Sequence, residues 1–327
     1  MRKLNRCVWV TGAASICAAL TVTAAMAQTS YPNRPVRLVV PFAPGGGTDI
    51  IARIIGQKLT EPFGQTVVID NRAGAGGSIG TDIVAKSPAD GYTLLIAPTS
   101  HVINPSIYSK LPYDTVKDFA PVTLAASATI LLAVHPSTAA KSVKDLVATA
   151  KAQGSKISYG SAGTGTVFHL TAELFKRQAG IDMAHVPFKG GGPTVASLLA
   201  GQINVAFETM LALQPHVQAG KLRALAVTSV KRSTVMPDIP TTGEQGFKDI
   251  VADNWYGFYV PAGTTNNIVG KLNTEIVKIL RAQDVKDRFH SQGTEVLGGP
   301  PEQLAKYVTS ELAKWNKAAK EVGARVE

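Results

Sequence analysis

Residues 36–59 read VRLVVPFAPGGGTDIIARIIGQKL, and this stretch decides the architecture. Val36, Leu38, Val39 and Val40 make a short β-branched, apolar strand bounded by Pro35 and Pro41, while Ile50, Ile51, Ile54, Ile55 and Leu59 recur at helical spacing. Between them Pro44, Gly45, Gly46, Gly47, Thr48 and Asp49 form a turn in which glycine lets the backbone bend tightly and come close to a ligand. Thr48 is placed to cap the helix that follows. A helix start of this kind presents unpaired N–H donors and partial positive charge, so it suits a carboxylate or phosphate; a plain strand-to-helix turn is the other reading.

Upstream, Arg2, Lys3 and Arg6 precede an apolar run over 7–24 and then Ala25-Met26-Ala27, the pattern of a cleavable secretory leader cut after Ala27. Export across the membrane follows. Both cysteines, Cys7 and Cys17, fall within the leader, which leaves no thiol for a disulfide or a metal site. Losing those three basic residues takes the net charge from +10 to +7, which favours anionic ligands. The Lys and Arg residues are spread rather than clustered, and with export this argues against nucleic acid. No later apolar run is long enough to span a membrane.

Downstream the strand–turn–helix unit repeats. Strands are expected at 66–70, 93–97, 157–160, 183–188, 204–207, 224–228 and 255–260, with two apolar runs at 122–126 and 129–134. Helices are expected at 78–86, 142–152, 167–178, 265–281 and 300–320. Alternation of this kind predicts an α/β fold with open, mostly parallel sheets whose ligands bind at the carboxyl ends of the strands. The expected division is a first domain of residues 28–126 and 253–327 and a second of 127–252, with a cleft between them. Four strand-to-helix loops, at 45–49, 74–78, 161–166 and 190–193, share the amide-exposing design. If two or more converge on the cleft, each holds one carboxylate, with hydroxyls of Thr48, Thr99, Ser100, Ser161, Thr164 and Thr166 filling the remaining lone pairs. A small dianion is the natural guest.

The segments PFAPGGGTDIIAR, NRAGAGGSIG, DGYTLL, SAGTGTVFHLTAELF, HVPFKGGGPTVASLLAGQIN, GKLRALAVTS, PDIPTTGEQG and WYGFYVPAGT closely resemble the substrate-binding proteins of tripartite tricarboxylate transporters, the Bug family. The resemblance covers essentially the whole exported chain. It implies a monomeric, two-domain periplasmic receptor of the Venus-flytrap type that closes on a di- or tricarboxylate, plain or aromatic, and delivers it to membrane permease subunits; a sensor kinase is a further conceivable partner. It also implies that main-chain amides and ordered waters hold the ligand. Carried onto this chain, those amides belong to Pro44 to Asp49 and to Ser161, Gly163, Thr164, Gly165 and Thr166, with Thr99, Ser100, Phe188, Lys189 and Gly190 around them.

Three further residues are candidates. Glu208, in VAFET, stands where an aspartate is expected in many relatives; it either receives an ammonium or hydroxyl of the ligand or caps a neighbouring helix, the structural role being slightly favoured. Phe168 opens a helix beside the amide cradle and either lines an apolar ligand body or packs into the core. His101 lies in a candidate ligand loop, in reach of an anion.

Enzyme readings are weaker. Gly76-Gly77-Ser78-Ile79-Gly80 matches the G-x-S-x-G elbow of hydrolases, yet residues 71–75 separate Ser78 from the strand before it. His169 and Glu173 share a helix face at metal-ligand spacing without a third ligand. Asp70 lies where a ribose-binding acid would, but Ile50 occupies the third glycine position of the dinucleotide fingerprint. The lysine-bearing P-loop pattern is absent. A binding protein without a cofactor or catalytic residues is therefore expected, with a receptor for another small anion or an amino acid, serving a different transporter or sensor, as the alternative and a Ser78 hydrolase behind it.

Overall fold

The computed structural model describes residues 31–326, so the leader and its cleavage site lie outside the described residues. In chain order the elements are β1 (Val36–Val40), α1 (Gly47–Phe63), β2 (Val67–Asn71), α2 (Ser78–Ala85), β3 (Thr93–Pro98), α3 (Ser100–Ile107) and β4 (Phe119–Val134). Next come α4 (Val143–Gln153), β5 (Ser158–Ser161), α5 (Val167–Ala179), β6 (Ala184–Pro187), α6 (Gly191–Leu199), β7 (Val205–Thr209), α7 (Met210–Gln218) and β8 (Arg223–Val227). The chain ends with β9 (Asp253–Pro261), α8 (Asn266–Arg281), α9 (Gln283–His290), β10 (Thr294–Val296) and α10 (Pro301–Val322).

The strands form one continuous sheet in the order β2-β1-β3-β9-β4-β7-β5-β6, with β8 and β10 also pairing to β4. Its flanks are parallel, β1 between β2 and β3 on one side and β5 between β6 and β7 on the other, as βα alternation requires. The centre is antiparallel, because β4 carries the chain from the first half to the second and β9 brings it back alongside. The two apolar runs read separately on either side of Ser127 are one strand. Its first part pairs with β9 and its last part with β7 and β8; register shifts near Pro121 and Leu124 fall within the part paired with β9, and another falls at Leu132 and Ala133 opposite β8.

Three helices interrupted by polar or proline residues escape the periodicity argument: α3 and α7 contain Pro105 and Pro215, and α9 is mostly charged. Thr48 is not the cap expected of it. Gly46, extended at φ −89°, takes the N-cap position, and Thr48 is already inside the first turn of α1. The Asp49 carboxylate draws the loop in by accepting the Gly45 N–H at 3.0 Å, and Gly45 needs a φ of +89° that glycine supplies at no steric cost.

His101, expected in reach of an anion, is instead fully enclosed. Its ring packs with Tyr113, Phe119 and Tyr259 at centroid distances of 6.3, 5.1 and 4.9 Å, and burial pushes its pKa down to about 4. Below the usual histidine value the unfolded chain takes up a proton that the folded chain refuses, so stability falls as pH drops from 6.5 towards 4. The loss at pH 5.5 is about 1 kcal/mol. Urea unfolding at pH 7 and 5.5 should show that difference shrinking in His101→Phe; an equal acid loss in both proteins would assign it elsewhere.

Candidate functional site

Four helix starts, from opposite halves of the sheet, meet at one small cavity. It is lined by Gly46, Gly47, Thr48 and Asp49 from α1, Thr166, Val167 and Phe168 from α5 and Gly191 from α6, and by Ser100 at the start of α3. Phe42, Ala43, Pro98, Ala162, Glu208 and Asn254 complete the wall. First-turn amides of these helices have no acceptor within their own helices, and each helix start carries partial positive charge at the cavity wall. Among the described residues that line the cavity there is no Lys, Arg or His.

Each loop is held by its own side chains. Asp49 accepts from Gly45 N–H, from Arg53 Nε at 2.9 Å and from Asn71 Nδ2 at 3.0 Å. Burial works to raise its pKa, but these hydrogen bonds outweigh it and keep Asp49 an anion. Asn71 also donates to Phe42 O, tying the end of β2 to the loop. On the other side Thr166 caps α5 by accepting the His169 N–H at 3.4 Å, while its hydroxyl donates to Gly163 O at 2.7 Å. Behind that loop Ser161 Oγ lies 2.7 Å from His185 Nε2, and His185 is stacked between Tyr159 and His169. Burial, and then the neighbouring His169, push His185 down to about 4, so this ladder is uncharged at neutral pH. His169 and Glu173, read as a possible metal pair, are occupied in other ways: His169 in the stack, Glu173 with Tyr159 and Lys176. Among the described residues no group of three or more His, Cys, Asp or Glu is placed to hold a metal ion.

Of the residues singled out from the sequence, Gly46, Gly47, Thr48, Asp49, Ser100, Thr166, Phe168 and Glu208 line the cavity. Phe168 does both things expected of it, lining the cavity and packing in the core. Gly163, Thr164, Phe188 and Lys189 line a separate outer crevice with residues 74–77, so the 74–78 loop does not share the cavity with the other three. Thr99 Oγ1 accepts the Trp255 N–H and donates to Asp253 O, which binds β3 to β9. Ser161 and Gly165 support the loop from behind. Pro44, Gly45 and Gly190 sit where the two halves touch. Ser78 opens α2 only after the intervening residues 72–77, out of the strand-to-helix elbow a nucleophile needs. Asn254, at the start of β9, is the lining residue that no local motif pointed to.

The halves meet through backbone. Ala43 N–H donates to Lys189 O at 2.9 Å, and a Cβ on Gly46 would lie 3.0 Å from Gly191. The cavity left between them is about 20 Å³, about the room one water needs. A larger guest requires the halves to separate.

The family model described as "Tripartite tricarboxylate transporter family receptor" matches residues 51–324. The chain belongs to this family. It is 39% identical to a protein of the tcbD-tcbE intergenic region of Pseudomonas sp. (strain P51) across 93% of this chain and 91% of that one. Among solved structures, the periplasmic binding protein BugD is 32% identical with a TM-score of 0.88, covering 91% of this chain and all of that one (100%). R. palustris Rpa4515, solved with adipate, is 38% identical with a TM-score of 0.87, covering 90% of this chain and 100% of that one. The fold is thus that of the periplasmic binding proteins. Among the described residues no helix is long and apolar enough to cross a membrane.

Proposed function

We propose that this chain is a periplasmic receptor, not an enzyme, that takes a small carboxylate between the two halves of its sheet and hands it to the membrane subunits of a tripartite tricarboxylate transporter. The observation that carries the reading is the meeting of the α1, α5 and α6 helix starts at one cavity without a cationic side chain. Main-chain donors in a water-poor space are suited to a carboxylate, and their fixed geometry needs no side-chain ordering. The adipate-bound relative supports the ligand class. The two expected domains, residues 28–126 with 253–327 and residues 127–252, are the bodies that move, with β4 and β9 as the crossing strands between them.

The test is thermal unfolding against di- and tricarboxylates, aromatic diacids, amino acids, nucleotides and model esters. A ligand at ~1,000 times its dissociation constant adds about 4 kcal/mol. For a chain of this length that raises the midpoint by on the order of 10 °C. A shift with one carboxylate class, without turnover, supports the receptor reading; turnover of an ester with no carboxylate effect would overturn it and direct attention to Ser78.

A further inference from the structure

Glu208 is the penultimate residue of β7, lies in the cavity wall and is 1% exposed. Its Oε1 accepts the Thr209 N–H at 2.8 Å and the Thr209 hydroxyl at 3.2 Å, both from the next residue along the chain. Its Oε2 has no hydrogen-bond partner among the described residues. That atom faces the first residue of α6, since a Cβ on Gly191 would come within 2.7 Å of it. Two acids line the cavity, and they differ in kind. Asp49 is satisfied by Arg53, Asn71 and the Gly45 amide; Glu208 has no ion-pair partner among the described residues.

An enclosed carboxylate with an open oxygen and no counter-charge is costly. Burial accordingly pushes Glu208 up to about 7. A plain dianion entering this cavity adds negative charge next to that oxygen and has to be accompanied by a proton. An ammonium group brings both the missing charge and a donor for the open lone pairs, while the first-turn amides take the carboxylate of the same molecule.

We propose that Glu208 selects the ligand, its free Oε2 receiving an ammonium group, so that the carboxylate taken into this cleft belongs to an amino acid rather than to a plain diacid. The inference rests on the reading that helix-start amides hold a carboxylate, and its test separates the two.

Titration calorimetry on the full exported chain would compare aspartate with succinate, glutamate with glutarate, and 2-aminoadipate with adipate. The amino member of at least one pair is expected to bind about tenfold more tightly than its partner. Glu208→Gln is expected to lose about that tenfold for the amino member and to erase the preference. A measurement that needs no variant uses two buffers of different ionisation heat at pH 7: pairing with an ammonium lowers the Glu208 pKa and releases protons, whereas a plain diacid takes protons up. Preferred binding of a plain diacid with proton uptake overturns the ammonium assignment and leaves the carboxylate receptor standing. Unchanged affinity of Glu208→Gln for an amino ligand likewise overturns it. No binding in any pair, together with no thermal shift from any carboxylate or amino acid tested, overturns both.

Discussion

Gly192→Val is expected to weaken ligand binding at least a hundredfold, on the order of 2.7 kcal/mol, while leaving the far-UV circular dichroism spectrum unchanged. Gly192 is the second residue of α6, and a Cβ there would fall 2.0 Å from Pro44 O, across the contact between the two halves. Within α6 itself a side chain at this position is tolerated, because glycine is among the poorest helix formers and its φ here is not in the left-handed region. The substitution therefore acts only on the approach of the 43–46 loop to the start of α6. Gly46→Val is the companion from the opposite side, where the backbone is extended and the obstacle is again glycine backbone, Gly191 at 3.0 Å. Both variants keep the first-turn amides of α1 and α6 and remove the ability of the halves to close over them. Calorimetric titration with the ligand found by thermal shift measures the effect. An unchanged dissociation constant in Gly192→Val would mean that the bound state holds the halves well apart, and the proposed closure would fail.

That contact also explains which part of the site could be read from the chain and which could not. The glycine runs at 45–47 and 190–192 were legible as turns that expose helix amides, because strand, turn and helix are adjacent in sequence. Their second property, that Gly46, Gly191 and Gly192 give way to backbone from the opposite half, depends on two segments about 145 residues apart meeting. No local pattern carries it. The same limit applies to His101, where a loop position suggested a ligand contact while the enclosing rings come from Tyr113, Phe119 and Tyr259. Thr48 shows a subtler case: the cap was assigned by residue type, but the Asp49 carboxylate reaching back to Gly45 starts the helix earlier. The flanks of the sheet, built from consecutive βα units, follow the alternation read from the chain. Its antiparallel centre does not, since the pairing of β4 with β9 joins strands separated by more than a hundred residues.

Glu311→Ala is expected to cost about 4 kcal/mol of stability, since it leaves two enclosed indole N–H groups without an acceptor. Glu311 lies on α10, and its Oε2 accepts from Trp255 Nε1 at 3.0 Å and from Trp315 Nε1 at 2.8 Å. Both tryptophans are fully enclosed, and the Glu311 residue itself is 6% exposed. One carboxylate oxygen thereby fastens α10 to β9, the strand that returns the chain to the first half. The same helix packs on α3 and β4 and reaches α5, where Arg177 donates to Glu321 O. Loss of the acceptor is thus felt at the crossing strands and not only at the carboxyl terminus. At 2–4 °C per kcal/mol the midpoint should fall by about 10 °C. Glu311→Gln keeps an oxygen in place and should cost only about 1 kcal/mol, because a neutral acceptor still satisfies part of the pair. If the two variants melt together, the negative charge, with Lys314 Nζ at 3.4 Å from Oε1, matters more than hydrogen-bond acceptance. If neither departs from the parent protein by more than a degree or two, the indoles have found other acceptors and α10 is not held through Glu311.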